Sequence, residues 1–337
     1  MSNPLRRRDL LLRASGAAAA ASGMAGLAAW PMSALAQSAW PAKPVTLIVP
    51  FPAGGGTDAF ARPLSAQFSK ATGKTLVIDN RGGAGGTLGA SIAAKAPADG
   101  YTLFMGAVHH AIAPSIYPHL DYNIEKDFIP LALLADVPQV VVINPKRVPA
   151  TNFQEFLAYA KANPGKLNYA SAGSGTSHHL AGELFKLQTG TFVTHIPYRG
   201  AGPALQDLIS GNVDCMFDGL GSSSQHIKAG RIKALMVSGK NRNPAFPDVP
   251  SAAEVGLPDY TVTTWYGLWT PKGTPADVQA RILEDVKKSL TADEIKTVWA
   301  NNGADIPTLT QAQFGAFVGS EVKRWATVVK AAKVTLE

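Results

Sequence analysis

The sequence is poor in cysteine and in charged residues. Cys215 is the only cysteine among 337 residues, so no intrachain disulfide can form and a multi-cysteine metal site is excluded. It lies in the apolar run Val213–Phe217, where we expect it to act as a buried small hydrophobe. Charged residues make up only 16% of the chain. Because the mature chain has no cationic block, nucleic acid is not indicated as a partner.

Long apolar runs are also missing, except near the N-terminus. A positive region with Arg6, Arg7, Arg8 and Arg13 precedes the alanine-rich stretch Ser15–Trp30, and Ala34–Ala36 follows as an A-x-A cleavage site. This pattern predicts a signal peptide over residues 1–36 and a mature chain that begins at Gln37. Glycines and Pro31 interrupt the apolar stretch, which argues against a membrane anchor. No later segment is long and apolar enough to span a bilayer.

The predicted signal leaves the export route open. Arg7 and Arg8, followed by Asp9–Leu11, resemble a twin-arginine signal, and the Sec route fits equally well. The segment carries four Arg and one Asp, so its removal lowers the formal charge from +7 to +4. No cysteine lies near the cleavage site, which rules out a lipoprotein anchor. We therefore expect an exported, mildly basic protein.

The rest of the chain alternates between strand-like and helix-like stretches, which predicts an α/β fold. Val45–Pro50 is rich in β-branched residues and is typical of a buried parallel strand. The other predicted strands are Thr75–Ile78, Thr102–Met105, Leu167–Ala170, Val193–Ile196, Val213–Phe217 and Ala234–Val237. The predicted helices are Asp58–Thr72, Leu88–Lys95, Asn152–Ala162, His178–Thr189, Ala204–Ser210, Ser222–Ala229, Thr274–Leu290 and Gln311–Ala332.

Two segments are predicted to cross between two domains. Ile129–Leu134 and Gln139–Ile143 are interpreted as separate strands at the first crossing, and Tyr260–Trp269 as the strand of the second. The first domain is then residues 37–137 and 258–337, and the second is residues 138–257. Hinges are expected near Asp136–Val140 and Leu257–Thr263.

Small-residue loops lie between a strand and a helix in both predicted domains. Free N–H groups and the positive dipole end at a helix N-terminus attract anions, and small residues allow close approach. In the first domain the candidate binding residues are Ala53, Gly54, Gly55, Gly56, Thr57 and Asp58. Thr57 is expected to cap the helix, and Asp58 is either a helix-start residue or an acceptor for a ligand hydroxyl, amine or water.

The second domain offers a matching loop. Its candidate residues are Ser171, Gly173, Ser174, Gly175, Thr176, Ser177 and His178, with hydroxyl donors beside backbone N–H groups. Ala107 and Arg199 lie in further loops of the same kind, and Asp218 ends a strand where it can face the cleft. The sequence therefore predicts a carboxylate site built mainly from neutral donors.

Three other chemistries have weaker support in the sequence. Gly54-x-Gly56-x-x-Ala59, with Asp79 at the end of the next strand, matches a dinucleotide-binding fingerprint and makes an NAD-dependent oxidoreductase the alternative function. Pro52 in the loop and the predicted export argue against it. Ser174 lacks the flanking glycines of a nucleophile elbow. The pairs His109-His110 and His178-His179 lack metal-ligand spacing, and no metal or cofactor is expected.

Several motifs together resemble the Bug family, the periplasmic receptors of tripartite tricarboxylate transporters. The resemblance covers essentially the whole mature chain. The motifs are PVTLIVPF (44–51), AGGGTD (53–58), NRGGAGG (80–86), ADGYTL (98–103), YASAGSGTSHHLAGELF (169–185), PYRGAGPA (197–204), DVPSAAEVG (248–256) and WYGL (265–268).

This resemblance implies a periplasmic-binding-protein fold, in which two α/β domains close on a ligand like a Venus flytrap. It implies a non-catalytic receptor that binds a small carboxylate through backbone N–H groups and ordered water. We expect the receptor to be a monomer. The matching loops are Pro52–Asp58 and Ser171–His178, with Asp218 and Tyr198–Gly200 close to the cleft. The implied partners are the membrane components of such a transporter. The sequence does not identify the carboxylate among dicarboxylates, tricarboxylates, amino acids and aromatic acids.

Overall fold

The apolar runs form the strands of one connected sheet. The computed structural model describes residues 40–332 and 334–335, and the predicted signal peptide lies outside the described residues. The strands of this part are β1 (Val45–Val49), β2 (Leu76–Asn80), β3 (Thr102–Ala107), β4 (Phe128–Ile143), β5 (Asn168–Ser171), β6 (Thr194–Pro197), β7 (Cys215–Gly219), β8 (Lys233–Val237) and β9 (Thr263–Pro271).

Helices follow most strands, as expected for an α/β protein. They are α1 (Gly56–Thr72), α2 (Thr87–Ala94), α3 (His109–Ile116), α4 (Phe153–Ala162), α5 (Ser177–Thr189), α6 (Ala201–Ser210), α7 (Leu220–Lys228), α8 (Ala276–Leu290), α9 (Asp293–Asn301) and α10 (Gln311–Ala332), with a short 3-10 turn at Ala84–Gly86. Among the described helices, none is both long and apolar enough to cross a bilayer.

Strand β4 joins two halves of the sheet. The order is β2-β1-β3-β9-β4-β7-β5-β6, with β8 also paired to β4. Up to Pro138, β4 pairs with β9, and from Gln139 onward it pairs with β7 and β8. We call residues 40–138 and 263–332 the first half, and residues 139–262 the second half. The partner of β4 thus changes one residue after the predicted domain boundary, and the division into domains stays a prediction.

The predicted crossing strands Ile129–Leu134 and Gln139–Ile143 form one strand. Asp136–Pro138 does not break it, because all three residues continue the pairing with β9. The backbone of Asp136 also exchanges two hydrogen bonds with Asp305, at 3.0 and 2.9 Å. Proline can stand in such a ladder where its missing N–H is not needed.

Two helices were missed in the sequence. Ala107 was expected in a loop, but it is the last residue of β3, and α3 begins at His109 with Val108 as its N-cap and no side-chain cap. Pro114 inside α3 also hides the helical pattern. Helix α9 carries Asp293 and Glu294 in its first turn, a helix-start signal that was present in the sequence.

Apolar side chains from both faces of the sheet form the core. Trp265, Trp269 and Trp299 are fully buried. Trp265 and Trp269 of β9 pack on Phe314 of α10, and Trp299 of α9 packs on Phe60 of α1. Cys215 is fully buried as expected, and burial raises the pKa of its thiol, so it has little thiolate character. This rigid frame fixes where the loops at the strand ends can meet.

Candidate functional site

Helix α1 begins without a side-chain cap. Its N-cap is Gly55, and Thr57, which was expected to be the cap, lies inside the first turn. Both Gly56 and Thr57 are buried. The first N–H groups of such a helix have no intrahelical partner and lie at the positive end of the dipole. This helix end therefore has the character of an anion site.

Asp58 organises the loop before α1. Its Oδ2 accepts hydrogen bonds from the Gly54 N–H at 3.0 Å and from Arg62 Nε at 2.7 Å. Its Oδ1 accepts from Arg62 Nη2 at 2.9 Å and from Asn80 Nδ2 at 3.3 Å. Asn80 also donates to the carbonyl of Phe51 at 2.9 Å. Asp58 therefore holds the loop in shape, and the Gly54 N–H is already occupied.

Side chains in and next to the loop before α5 cap the helix and bond to the backbone of the loop. Thr176 Oγ1 accepts from the His179 N–H at 3.5 Å and donates to the Gly173 carbonyl at 2.7 Å. Ser171 Oγ accepts from the Gly173 N–H at 3.1 Å, and His179 Nδ1 accepts from the Gly175 N–H at 3.1 Å. These predicted donors therefore act inside the loop and set its conformation.

Hydrogen bonds cross from one half to the other at this loop. Tyr117 Oη donates to the Ser174 carbonyl at 2.9 Å. The Ser177 N–H donates to His109 Nδ1 at 3.0 Å, and Ser177 Oγ lies 3.3 Å from Thr264 Oγ1. Because Tyr117 and His109 belong to the first half and the loop belongs to the second, the two halves are in direct contact here.

Glycines allow the close approach of the two halves. A Cβ added to Gly202 would lie 3.0 Å from the Ala53 carbonyl oxygen. A Cβ on Gly85 would lie 2.5 Å from Tyr117 Oη and 3.1 Å from the Ser174 carbonyl oxygen. Gly85 also has φ +62°, which favours glycine. Larger residues at these positions would push the halves apart.

A cavity of about 240 Å³ remains between the halves. Gly173, Ser174 and Arg199 line it, as expected from the sequence. Ala172 and Tyr198 also line it and lie within the predicted segments Ser171–His178 and Tyr198–Gly200. Sequence reasoning missed its other walls, which are Phe51, Gly83–Gly86, Tyr117 and Pro197. The glycine run at 83–86 was visible, but its approach to Ser174 depends on how the two halves meet.

Asp218 lies fully buried beside His178, away from the walls of this cavity. Its Oδ2 accepts from Ser222 Oγ at 2.7 Å and Ser223 Oγ at 2.5 Å, and its Oδ1 lies 3.4 Å from His178 Nδ1. Burial lowers the pKa of His178 although the Asp218 charge opposes that shift. The His178 ring is therefore neutral near pH 7.

The α1 N-terminus reaches toward Asp218. A Cβ on Gly56 would lie 2.2 Å from Tyr266 Oη and 3.7 Å from Ser222 Oγ. Burial, and the charge of Asp218 after it, raise the pKa of Tyr266, so its hydroxyl stays a donor. The predicted residues Gly56 and Asp218 are thus brought to one polar region by opposite halves.

Ala107 lies beside a pair of buried histidines. Its N–H donates to His110 Nδ1 at 3.0 Å, and His110 Nε2 lies 3.3 Å from the Gly86 carbonyl oxygen. Burial lowers the pKa of His110 to about 4, and that of His109 well below its usual value. The neutral His110 imidazole therefore joins the end of β3 to the 84–86 turn. In the described part of the chain, no cluster of three or more His, Cys, Asp or Glu is placed to bind a metal.

Comparison with known families identifies the class. A model of the tripartite tricarboxylate transporter family receptor matches residues 60–334. BugT of Bordetella pertussis is 36% identical over 308 residues, which is 91% of this chain and 93% of BugT. A UPF0065 protein in the tcbD-tcbE intergenic region of Pseudomonas sp. strain P51 is 38% identical over 292 residues, 86% of this chain and 87% of that protein. The chain belongs to the tripartite tricarboxylate transporter receptor family.

Solved structures agree with this assignment. The periplasmic binding protein BugD matches with a TM-score of 0.85 and 34% identity, over 88% of this chain and 100% of BugD. The R. palustris protein Rpa4515 with adipate gives 0.85 and 35%, over 88% and 100%. MatC from Rhodopseudomonas palustris with bound malate gives 0.81 and 36%, over 86% and 100%. The fold is therefore that of a periplasmic binding protein.

Proposed function

We propose that the protein is an exported receptor that binds a small organic carboxylate between its two halves and delivers it to the membrane components of a tripartite tricarboxylate transporter. The observation that carries the proposal is the cavity of about 240 Å³ where glycine loops of both halves meet. Its size suits a small acid, and Ser174 and Arg199 in its lining are residue types that bind a carboxylate. The adipate and malate bound by the R. palustris proteins are acids of this size.

In this proposal the two halves are domains that close on the ligand without chemical turnover, in a monomer exported by its signal peptide. Closure bends the chain near Asp136–Val140 and Leu257–Thr263. The cross-half hydrogen bonds of Tyr117 and His109 then form only in the closed state. Ligand binding is linked to closure because the bound acid contacts both halves.

The oxidoreductase alternative has less support. The Gly54 N–H, which would approach a pyrophosphate, is occupied by Asp58 at 3.0 Å. Asp79, the expected ribose ligand, is paired with Arg81 Nε at 2.9 Å. The fingerprint glycines are instead accounted for by the loop that packs against the second half.

Titration calorimetry with adipate, malate, amino acids and aromatic acids tests the receptor function. We expect one molecule of at least one carboxylate to bind per chain without being converted. The protein is first unfolded and refolded to remove any copurified ligand, and mass spectrometry of the released material identifies the natural one. Absence of binding to every carboxylate by the refolded, ligand-free protein would refute the proposal.

Replacing Ser174 with tryptophan tests the site itself. Ser174 lines the cavity and is half-buried, so an indole there should fill the space and weaken carboxylate binding by at least about tenfold. Ser320→Trp on the exposed face of α10 is the matched control and should leave affinity unchanged. Equal affinity of both variants and the native protein would remove the loop from the site.

Replacing Tyr117 with phenylalanine tests the link between closure and binding. The variant loses the hydrogen bond to the Ser174 carbonyl, which is 2.9 Å long and joins the first half to the second. Such a bond contributes about 1 kcal/mol, so we expect affinity to fall about fivefold, mainly through faster dissociation. Tyr101→Phe, whose hydroxyl accepts from the Ala42 N–H within the first half, is the control. Unchanged dissociation kinetics in Tyr117→Phe would argue against the link.

A further inference from the structure

A second concavity lies outside the cleft, on the first half. It has a volume of about 590 Å³ and is bounded by β4, α8 and the segment 306–311. None of the loops that form the cleft contributes to its lining. Its volume is within the range of small-molecule pockets.

The walls of this second concavity are mainly apolar. Strand β4 contributes Leu131, Ala132 and Leu133, helix α8 contributes Leu283, Val286 and Leu290, and the segment before α10 contributes Ile306, Pro307 and Leu309. Leu309 leaves 37% of its surface exposed, although it is a large hydrophobic residue. Apolar surface gathered in a concavity is a better binding site than single exposed side chains.

The charge around the concavity has one sign. Its lining contains Lys287 and Lys296 and no acidic residue. Lys296 Nζ lies 3.9 Å from Asp293, whose side chain is 98% exposed, so this pair neutralises little. Within residues 40–332, Lys287 forms no ion pair. An apolar chamber with ammonium groups at its lining complements a molecule with an apolar body and an anionic head.

We propose that this concavity, here called the α8 pocket, binds an amphipathic monocarboxylate, with its apolar chain between β4 and α8 and its carboxylate beside Lys287 and Lys296. Binding removes the apolar chain of the ligand and the apolar walls of the pocket from water, and this stabilises the complex. The lysines attract and orient the carboxylate, which an alcohol of the same length lacks. This site is separate from the cleft and does not depend on the function proposed for it.

Titration with decanoate, with decanol as the uncharged comparison, tests the α8 pocket. We expect saturable 1:1 binding of decanoate, and weaker binding of decanol. The double variant Lys287→Glu/Lys296→Glu should bind decanoate about tenfold more weakly, because two attractive charges become repulsive. Lys288→Glu is the matched control, since Lys288 is exposed on the same helix but does not line the pocket.

Independence from the cleft is measured in the same experiment. The Ser174→Trp variant should bind decanoate as the native protein does, and saturating adipate should not displace it. All substituted lysines are exposed, so thermal unfolding should confirm that the variants are folded. Displacement by adipate, equal loss in Lys288→Glu, equal binding of decanol and decanoate, or no decanoate binding would each overturn the proposal.

Discussion

Replacing Asp58 with asparagine is expected to lower the free energy of unfolding by about 3 kcal/mol and to weaken carboxylate binding at least about tenfold. Asp58 is 3% exposed and accepts four hydrogen bonds, two of them from the Arg62 guanidinium. An asparagine of the same shape removes the charge and turns one acceptor into a donor. That donor then faces N–H groups of Gly54, Arg62 or Asn80 and leaves at least one of them unsatisfied.

We expect affinity to fall because the loop loses its ordered conformation, and not because Asp58 contacts the ligand. Asp58 accepts from the Gly54 N–H and from Asn80, which also bonds to the Phe51 carbonyl. Changing Asp58 weakens these bonds, which hold the chain in place before α1. Ligand binding would then have to order the loop first, and this cost weakens the observed affinity. Chemical denaturation and calorimetry on one protein preparation measure both effects.

Asp79→Asn is the matched control for this prediction. Asp79 pairs with Arg81 near the surface, with side-chain exposures of 32% and 52%. Such a pair contributes little, so we expect stability to change by less than about 0.5 kcal/mol and carboxylate binding to be unchanged. If Asp79→Asn lowered stability and binding more than Asp58→Asn, and the protein quenched NADH fluorescence, the oxidoreductase alternative would be favoured.

Acidification from pH 7 to pH 4 is expected to lower the free energy of unfolding by at least about 3 kcal/mol. Burial lowers the pKa of His110 from 6.5 to about 4. Between these values the unfolded chain binds a proton at this position and the folded chain does not. The free energy of unfolding therefore rises with pH through this window and levels off above about 6.5, with a span of about 3 kcal/mol from His110 alone.

Other buried histidines act in the same direction. Burial also lowers the pKa values of His109 and His178, the latter in spite of Asp218. His109 Nδ1 accepts the Ser177 N–H across the two halves, so its protonation removes that bond at 3.0 Å. Acid should therefore weaken closure, and with it carboxylate affinity.

Urea denaturation at a series of pH values measures this dependence. His110→Gln should flatten the slope between pH 6.5 and pH 4 by the part that His110 contributes. The control for the substitution is His119→Gln, since His119 is an exposed histidine. A free energy of unfolding that stays constant between pH 7 and pH 4 would contradict the prediction.

The sequence was sufficient where local chemistry decides. The run at Val45–Val49 was predicted as a buried strand and the small-residue loop after it as the entry to a helix, and the start of α1 was predicted within two residues. The same reasoning placed α5 and α10. It failed at α3, where Pro114 and the absence of a capping side chain conceal the helix start at His109.

Roles within the loops were less predictable. Asp58 and Thr176 are adjacent to their helices in sequence, yet only the folded loop shows that both are occupied by local hydrogen bonds. Tyr117 gave no signal because it follows an unrecognised helix and acts on Ser174, which is 57 residues away. Local patterns carry no information about such distant contacts.

The sequence by itself therefore determined the class of this protein, its alternating strands and helices, and the loops from which a carboxylate site is built. Only the tertiary structure decided which loop residues face the cavity and which support it. The physical reason is that capping and periodicity act over a few residues, whereas the cavity exists where two halves joined through β4 meet. Gly83–Gly86 and Tyr117 line the cavity because the two halves pack together there, and the sequence around these residues does not indicate it.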